Sequence, residues 1–375
     1  MKKYLPSLNG LRAISIFIVA FNHLRDNHFL SDNIFLKYLG IFLFNGALGV
    51  GIFFIISGFL ITTLLIEEQN AYGSISLRNF YIRRVIRIFP AYYFLLLVCF
   101  FFQKINYLES SGLSWATVIT FTKQFYRKGP PELGPLWSLS VEEFFYLLWP
   151  YIFIRFKDKL LPLVSLLIAA IALNRLILTN LPQYNFSKTI FTVGDALLIG
   201  CVAAVKFDEV SSFVKQRPAI IYVLFFALLS FIYLDNFIFV NAYKEGNIKM
   251  LSPSLIWRAL SALSSSLLGN TGLLTNICVV LIIIYSIVSR GLWFKVLNLP
   301  IMNHIGKLSY SIYLYFAFFT SDRPNLHTAP LLILLLCTYV VAVISYNLIE
   351  KPFFKFRKYF SGHLSKSYQE PAISS

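Results

Sequence analysis

Long apolar segments recur along almost the whole chain and constrain its fold more than any other feature. Hydrophobic residues make up 57% of the sequence and charged residues 13%, whereas soluble domains contain about 25% charged residues. A membrane-crossing helix needs about 20 consecutive, mostly apolar residues. The pattern therefore predicts an all-α polytopic membrane protein. Its apolar runs lie at about 9–27, 46–66, 88–107, 137–154, 160–180, 189–205, 218–240, 272–289, 303–320 and 330–349.

About ten transmembrane helices would place both termini on one side of the membrane. Lys and Arg are retained on the cytoplasmic side, and most of the 33 basic residues flank the runs on the side of the termini. We therefore predict cytoplasmic termini for a multi-pass protein of the cell inner (plasma) membrane. Residues 1–350 are predicted to form the membrane domain and residues 351–375 a basic cytoplasmic tail. Residues 108–136 and 241–271 fit no crossing and favour interfacial or re-entrant helices.

Several classes of partner are disfavoured by the sequence. The net charge of +16 is explained by basic residues beside the apolar runs, and no basic run interleaved with aromatic residues indicates a nucleic-acid site. The four cysteines lie in separate apolar stretches without Cys-x-x-Cys spacing, which argues against zinc and against a disulfide framework. The amino end lacks a small-x-small cleavage site, so we interpret it as an uncleaved first helix. We expect lipids as neighbours, and neither nucleic acid nor metal.

Arg12 and His23 form the first candidate constellation. They are eleven residues apart, close to three helical turns, so both project from one helix face, about 16 Å apart. A charged side chain inside a span is a functional candidate by default. The alternative is that Arg12 anchors the helix end and His23 donates to a neighbouring carbonyl. The residues alone favour neither interpretation.

A second candidate is the arginine cluster of SLRNFYIRRVIRIFP, which precedes the third apolar run. Arg84 and Arg87 are three residues apart and therefore neighbours on a helix surface. Guanidinium groups bind phosphate through two parallel hydrogen bonds. The alternative is that these arginines only obey the positive-inside rule.

Glu142 and Glu143 form the third candidate, at the start of the fourth run. Ser140 followed by Glu143 predicts a capping box. Glu142 needs another explanation, and a carboxylate here can stabilise a protonated imidazole or remove a proton from a hydroxyl.

Two further features of the apolar runs are unusual. Gly49, Gly51 and Gly58 with Ser57 allow a backbone or a ligand to come close, although small residues in membrane helices usually serve helix packing. Asp195 is an intramembrane carboxylate with no evident partner in the sequence.

These motifs together resemble the acyltransferase-3 family of membrane O-acyltransferases, which modify bacterial surface sugars. The resemblance extends over almost the whole chain. It is carried, in the family's order, by LNGLRA with His23, GIFFIISGFLIT, RRVIRIFPAYY, LWSLSVEEFFYLLWP, GDALLIG, GKLSYSIYLY and YNLIEKPFF.

The resemblance implies an acyl-CoA donor, typically acetyl-CoA, as a co-substrate rather than a permanently bound cofactor. The implied acceptor is a carbohydrate hydroxyl of a surface polysaccharide such as lipopolysaccharide, or of its lipid-linked precursor. His23 would correspond to the family's essential histidine. The candidate catalytic residues are His23, Glu142 and Glu143, and the candidate cofactor-binding residues are Arg12, Arg83, Arg84, Arg87 and Ser57.

The chain departs from the family pattern at Asn9, before Asp195 and at Phe316, where the family often has Asp, Arg and His. Some relatives carry a secreted esterase-like domain after the membrane part, and we expect none here.

A rival hypothesis is a transporter or flippase of a lipid-linked sugar, which also needs charges within its spans. The sequence shows no inverted repeat, which favours the enzyme. Direct transfer and an acyl-histidine intermediate both remain open at this stage.

Overall fold

Within the residues that the structure describes, the protein consists mainly of α-helices. The computed structural model describes residues 7–22, 45–105, 108, 110–126, 128–179, 188–244, 255–269, 271–320 and 331–360, and no strand occurs within these ranges. The helices are α1 Ser7–Asn22, α2 Gly46–Tyr72, α3 Leu77–Lys104, α4 Gly112–Ile119, α5 Leu136–Arg155, α6 Leu160–Thr179, α7 Ile190–Val205, α8 Phe207–Lys215, α9 Ile220–Lys244, α10 Leu255–Leu267, α11 Leu273–Val288, α12 Leu292–Leu297, α13 Pro300–Thr320, α14 Leu331–Ser345 and α15 Lys351–Phe360.

Each predicted apolar run overlaps a described helix, and the structure supports a multi-pass membrane protein. Within the described ranges, five helices are long and apolar enough to cross a membrane, or six if α7 and α8, bent by 83° at their junction, count as one span. The apolar helix α1 has 16 residues, a length of about 24 Å against a hydrocarbon core of about 30 Å. The number of ten crossings and the cytoplasmic location of the termini remain predictions.

Glycines bring the central helices into close contact. A Cβ atom added at Gly58 of α2 would collide with the carbonyl oxygen of Leu197 in α7, and one added at Gly200 of α7 would collide with that of Ile55 in α2. A Cβ at Gly49 would lie 2.8 Å from a backbone oxygen of α1. The helix-packing interpretation is therefore confirmed for Gly49 and Gly58.

The segment between α3 and α5 folds into a compact unit on the bundle. It contains α4 and two short 3₁₀ turns, Lys123–Phe125 and Pro131–Leu133. Lys123 is 1% exposed, and its ammonium donates to the Lys128 carbonyl at 2.7 Å and to the Ser114 hydroxyl at 3.3 Å. Burial lowers the pKa of Lys123. Because α4 has only eight residues, it is too short to cross the membrane, in line with the predicted interfacial or re-entrant character.

Helices α14 and α15 form one continuous helix, called the rod below. A π-helical turn, Tyr346–Glu350, joins α14 to α15 without a break. Residue 350, the predicted boundary between membrane domain and tail, therefore lies inside this rod.

Candidate active site

Helix α3 carries the arginine cluster into the bundle. Its N-terminus is capped by the Ser76 hydroxyl, which accepts from the backbone N–H of Asn79 at 3.4 Å. Arg83 forms an ion pair with Glu68 of α2 at 2.9 Å, and the other oxygen of Glu68 accepts from the backbone N–H of Ser76 at 2.9 Å. The structure thus places Arg83 in a bridge between the end of α2 and the start of α3.

Arg84 and Arg87 lie on another side of α3, together with Arg12 of α1. The Arg84 guanidinium carbon is 5.0 Å from the ring centroid of Tyr146 and 5.6 Å from that of Phe80, a cation–π arrangement. The three guanidinium groups interact electrostatically with one another and with Glu142. We name Arg12, Arg84 and Arg87 the arginine triad.

The described residues leave the hydrogen-bond donors of the arginine triad unused. Among the described residues, none of its members forms an ion pair or a side-chain hydrogen bond. A guanidinium group carries five N–H donors and cannot lose its charge in a protein. The triad therefore concentrates positive charge and free donors inside the bundle, a combination that binds polyanions such as phosphates.

Glu142 is held by a residue of another helix. Its carboxylate accepts a hydrogen bond of 2.6 Å from the Ser57 hydroxyl of α2. Ser57 therefore contacts the candidate catalytic carboxylate, although the sequence indicated a cofactor-binding role for it. The bond fixes Glu142 opposite the triad.

Glu143 lies beside Glu142 but is not a capping residue. Helix α5 begins at Leu136 after Pro135, four residues before Ser140, and the Ser140 hydroxyl donates to the Leu136 carbonyl at 3.1 Å. The predicted capping box is therefore wrong, because Ser140 lies inside the helix. One carboxylate oxygen of Glu143 is buried without a hydrogen-bond partner among the described residues, and Glu143 interacts electrostatically with Arg84.

The structure brings most of the predicted site together. The triad, Ser57, Glu142 and Glu143 meet where α1, α2, α3 and α5 converge, whereas Arg83 is directed to Glu68. His23 lies outside the described residues. Sequence reasoning missed Tyr146, which shares this cluster. The signal was available, because Tyr146 follows Glu142 by four residues and such residues share a helix face.

Asp195 has the partner that the sequence did not reveal. Arg175 of α6 binds both of its oxygens, at 3.1 and 2.8 Å, and also donates to the Thr192 carbonyl at 2.7 Å. Asn276 of α11 donates to Asp195 at 3.5 Å. This buried pair and its hydrogen bonds tie α6, α7 and α11 together.

Comparison with known proteins identifies relatives over nearly the whole chain. The family model of acyltransferase-3, described as an acyltransferase domain, matches residues 5–350. The peptidoglycan O-acetyltransferase OatA of Listeria monocytogenes is 28% identical over 98% of this chain and 59% of its own length. The O-acetyltransferase OatA of Staphylococcus aureus is 27% identical over 93% of this chain and 57% of its own length. The chain thus spans less than two thirds of these relatives. No solved structure matches it.

Proposed function

The chain belongs to the acyltransferase-3 family, and from this premise we propose that it transfers an acetyl group from acetyl-CoA to a carbohydrate hydroxyl. The names of both relatives support an acetyl group, and the name of the Listeria monocytogenes relative supports an acceptor of the peptidoglycan type. Acetyl-CoA serves as co-substrate, and the protein acts in the plasma membrane.

The arginine triad is the observation that carries this proposal. Coenzyme A bears several phosphate charges, and three guanidinium groups without ion-pair partners among the described residues offer a matching site. The assignment uses Arg12, Arg84 and Arg87. Arg83 is not included in this phosphate site, because it forms an ion pair with Glu68.

The proposed reaction starts from an already activated thioester. His23 accepts the proton of the acceptor hydroxyl as the hydroxyl oxygen attacks the thioester carbonyl carbon. The carbon–sulfur bond then breaks, and coenzyme A leaves as a thiol after receiving that proton. Glu142, fixed by Ser57, stabilises the imidazolium form of His23, and the triad holds the phosphates so that the thioester is correctly positioned.

Reconstituted protein tests the proposal directly. Proteoliposomes that contain a soluble peptidoglycan oligosaccharide both inside and outside receive acetyl-CoA labelled in the acetyl group, and label in the oligosaccharide is measured. We expect label that depends on both substrates and disappears in a folded His23→Ala variant. Transfer at the parental rate by His23→Ala would remove His23 from the mechanism. Absence of transfer to peptidoglycan and to other bacterial surface glycans would reject the activity.

Rapid-quench labelling without acceptor separates the two forms of the mechanism. Direct transfer leaves the protein unlabelled, whereas an acyl-histidine intermediate leaves one label that the acceptor removes.

A further inference from the structure

The π-helical turn Tyr346–Glu350 places a third carboxylate, in addition to Glu142 and Glu143, beside the proposed phosphate site. The backbone N–H of Lys351 donates to the carbonyl of Tyr346, five residues earlier. Such turns are rare and frequently occur at functional sites. Glu350, the last residue of the turn, is only 4% exposed. A buried carboxylate in a membrane protein is costly unless other groups stabilise it.

Two helices supply the surroundings of Glu350. The Ser311 hydroxyl of α13 donates a short hydrogen bond to its carboxylate, and Arg87 of α3 interacts with it electrostatically. Tyr310, the neighbour of Ser311, donates its hydroxyl to the carbonyl of Ile88 at 2.9 Å. These contacts join α13 and the π-helical turn to α3 at Arg87 and the residue that follows it.

Arg87 is therefore attracted electrostatically by carboxylates from two different helices. Glu142 of α5 and Glu350 of the π-helical turn both interact with it electrostatically. Neither forms an ion pair with it within the described part of the chain. The guanidinium is thus attracted toward both carboxylates while its donors stay available. Such an arrangement restrains a long side chain without occupying its hydrogen-bonding capacity.

We propose that Glu350, anchored by Ser311, is a positioning residue that holds Arg87 in the orientation needed to bind a phosphate of coenzyme A. This inference rests on the proposed function. Glu350 would touch neither the thioester nor the acceptor. Its loss would weaken coenzyme binding through Arg87 and leave the chemical step largely intact.

Isothermal titration of purified protein in detergent with coenzyme A provides the primary test. We expect Glu350→Gln to raise Kd about fivefold or more, and Glu350→Asp to restore part of the affinity. Glu68→Gln is the matched control, because Glu68 is also a buried carboxylate that faces an arginine of α3, but that arginine is Arg83. Its Kd should equal the parental value.

A double-mutant cycle separates positioning from a general structural effect. Glu350→Gln should add little to the Kd of Arg87→Lys, yet keep its full effect in the Arg84→Lys background. In acetyl transfer, KM for acetyl-CoA should rise and kcat change less. If Glu350→Gln does not fold, Ser311→Ala, which leaves the carboxylate in place, takes over the test and should also raise Kd.

The outcomes distinguish the two proposals. An unchanged or lower Kd in a folded Glu350→Gln protein, or an effect equal in the Arg84→Lys and Arg87→Lys backgrounds, overturns the role of Glu350 while the proposed function stands. A parental protein that does not bind coenzyme A overturns the proposed function and, with it, this inference.

Discussion

Arginine side chains inside this bundle are stabilised in two different ways. Arg83 and Arg175 each meet a carboxylate oxygen at hydrogen-bond distance. The arginine triad has electrostatic interactions but no ion pair among the described residues. An uncompensated charge in hydrocarbon costs several kcal/mol. The ion pairs of Arg83 and Arg175 are sufficient to explain why those arginines are buried, whereas the described residues offer the arginine triad no such pair, which supports the proposed phosphate site.

The first prediction concerns the arginines of α3. Replacing Arg84 or Arg87 by Lys keeps the charge but removes the planar fork that donates two parallel bonds. One lost charge-assisted hydrogen bond corresponds to about a tenfold weaker interaction or more. We expect KM for acetyl-CoA to rise by that factor in each variant, measured by initial rates in proteoliposomes.

Arg83→Lys is the control for these variants, since it lies on the same helix and is paired with Glu68. It should leave KM for acetyl-CoA unchanged. An equal rise of KM in all three variants would indicate a general effect of the helix and contradict the triad.

The second prediction concerns the hydroxyl that holds Glu142. Ser57→Ala removes the 2.6 Å hydrogen bond, and a bond to a charged group contributes about 1.5–3 kcal/mol. If Glu142 supports proton transfer, kcat should fall roughly tenfold or more while KM for acetyl-CoA changes little. Initial rates at saturating acceptor measure this. Thr63→Ala is the control, because the Thr63 hydroxyl of the same helix donates only to the Phe59 carbonyl, at 2.8 Å. An unchanged kcat in Ser57→Ala would show that proton transfer does not depend on the position in which Ser57 holds Glu142.

Residue types could be predicted from the sequence better than their partners. Arg12 and Glu142 could be singled out as functional candidates because a charge within an apolar run is costly to bury. The roles of Ser57 and Glu143 could not be predicted, because they depend on contacts between helices and on where α5 begins. Ser140 fits the sequence pattern of a capping box, but Pro135 starts the helix earlier.

At the scale of the helices, packing relies on glycine at the α2–α7 contact. Gly200→Ala would place a methyl group against the carbonyl oxygen of Ile55. The helices must then separate, and overpacking of this kind typically costs about 1–3 kcal/mol. We expect a lower Tm in detergent. It is measured as the temperature at which size-exclusion chromatography recovers half of the monodisperse protein after heating. Gly112→Ala should leave Tm unchanged, because no atom lies within 4 Å of its added Cβ. Equal Tm values in both variants would contradict the close helix contact.

The ion pair between α6 and α7 gives the fourth prediction. Asp195→Asn leaves the Arg175 charge buried without its counter-ion, which costs about 3–5 kcal/mol. We expect a large loss of folded protein, measured by Tm and by yield after purification. Glu209→Gln breaks the exposed pair with Lys206 and should cost only about 0–1 kcal/mol. A parental Tm in Asp195→Asn would show that the carbonyl oxygens of Thr192 and Ser266, which accept hydrogen bonds from Arg175, are sufficient to stabilise its charge.

Helix positions were readable from the sequence because membrane-compatible runs are long and strongly apolar. The predicted run 88–107 starts later than α3, which begins at Leu77. The arginines before Pro90 lower the mean hydropathy of the first turns of α3, so a hydropathy pattern does not detect them. The pairing of Arg175 with Asp195 joins residues on two helices, and no local pattern encodes it.

For the whole molecule, the two sides of the membrane determine how the proposed reaction is organised. Basic residues lie beside the arginine triad at the start of α3, and further basic residues lie in α15. Basic segments are retained in the cytoplasm, where acyl-CoA is formed. The carbohydrate acceptor implied by the relatives belongs to the cell surface. The protein would therefore receive its two substrates from opposite sides.

The final prediction tests this arrangement with a protease-cleavable tag fused to the C-terminus. In proteoliposomes with mixed orientation and acceptor on both sides of the membrane, external acetyl-CoA should support transfer only by molecules whose tag faces outward, because we predict that the triad and the C-terminus share a side. Selective capture of vesicles through the tag should therefore enrich activity with external acetyl-CoA. Vesicles depleted by the same capture should lose that activity and regain it when acetyl-CoA is enclosed inside. Equal activity in captured and depleted vesicles with external acetyl-CoA would contradict one-sided access to the triad.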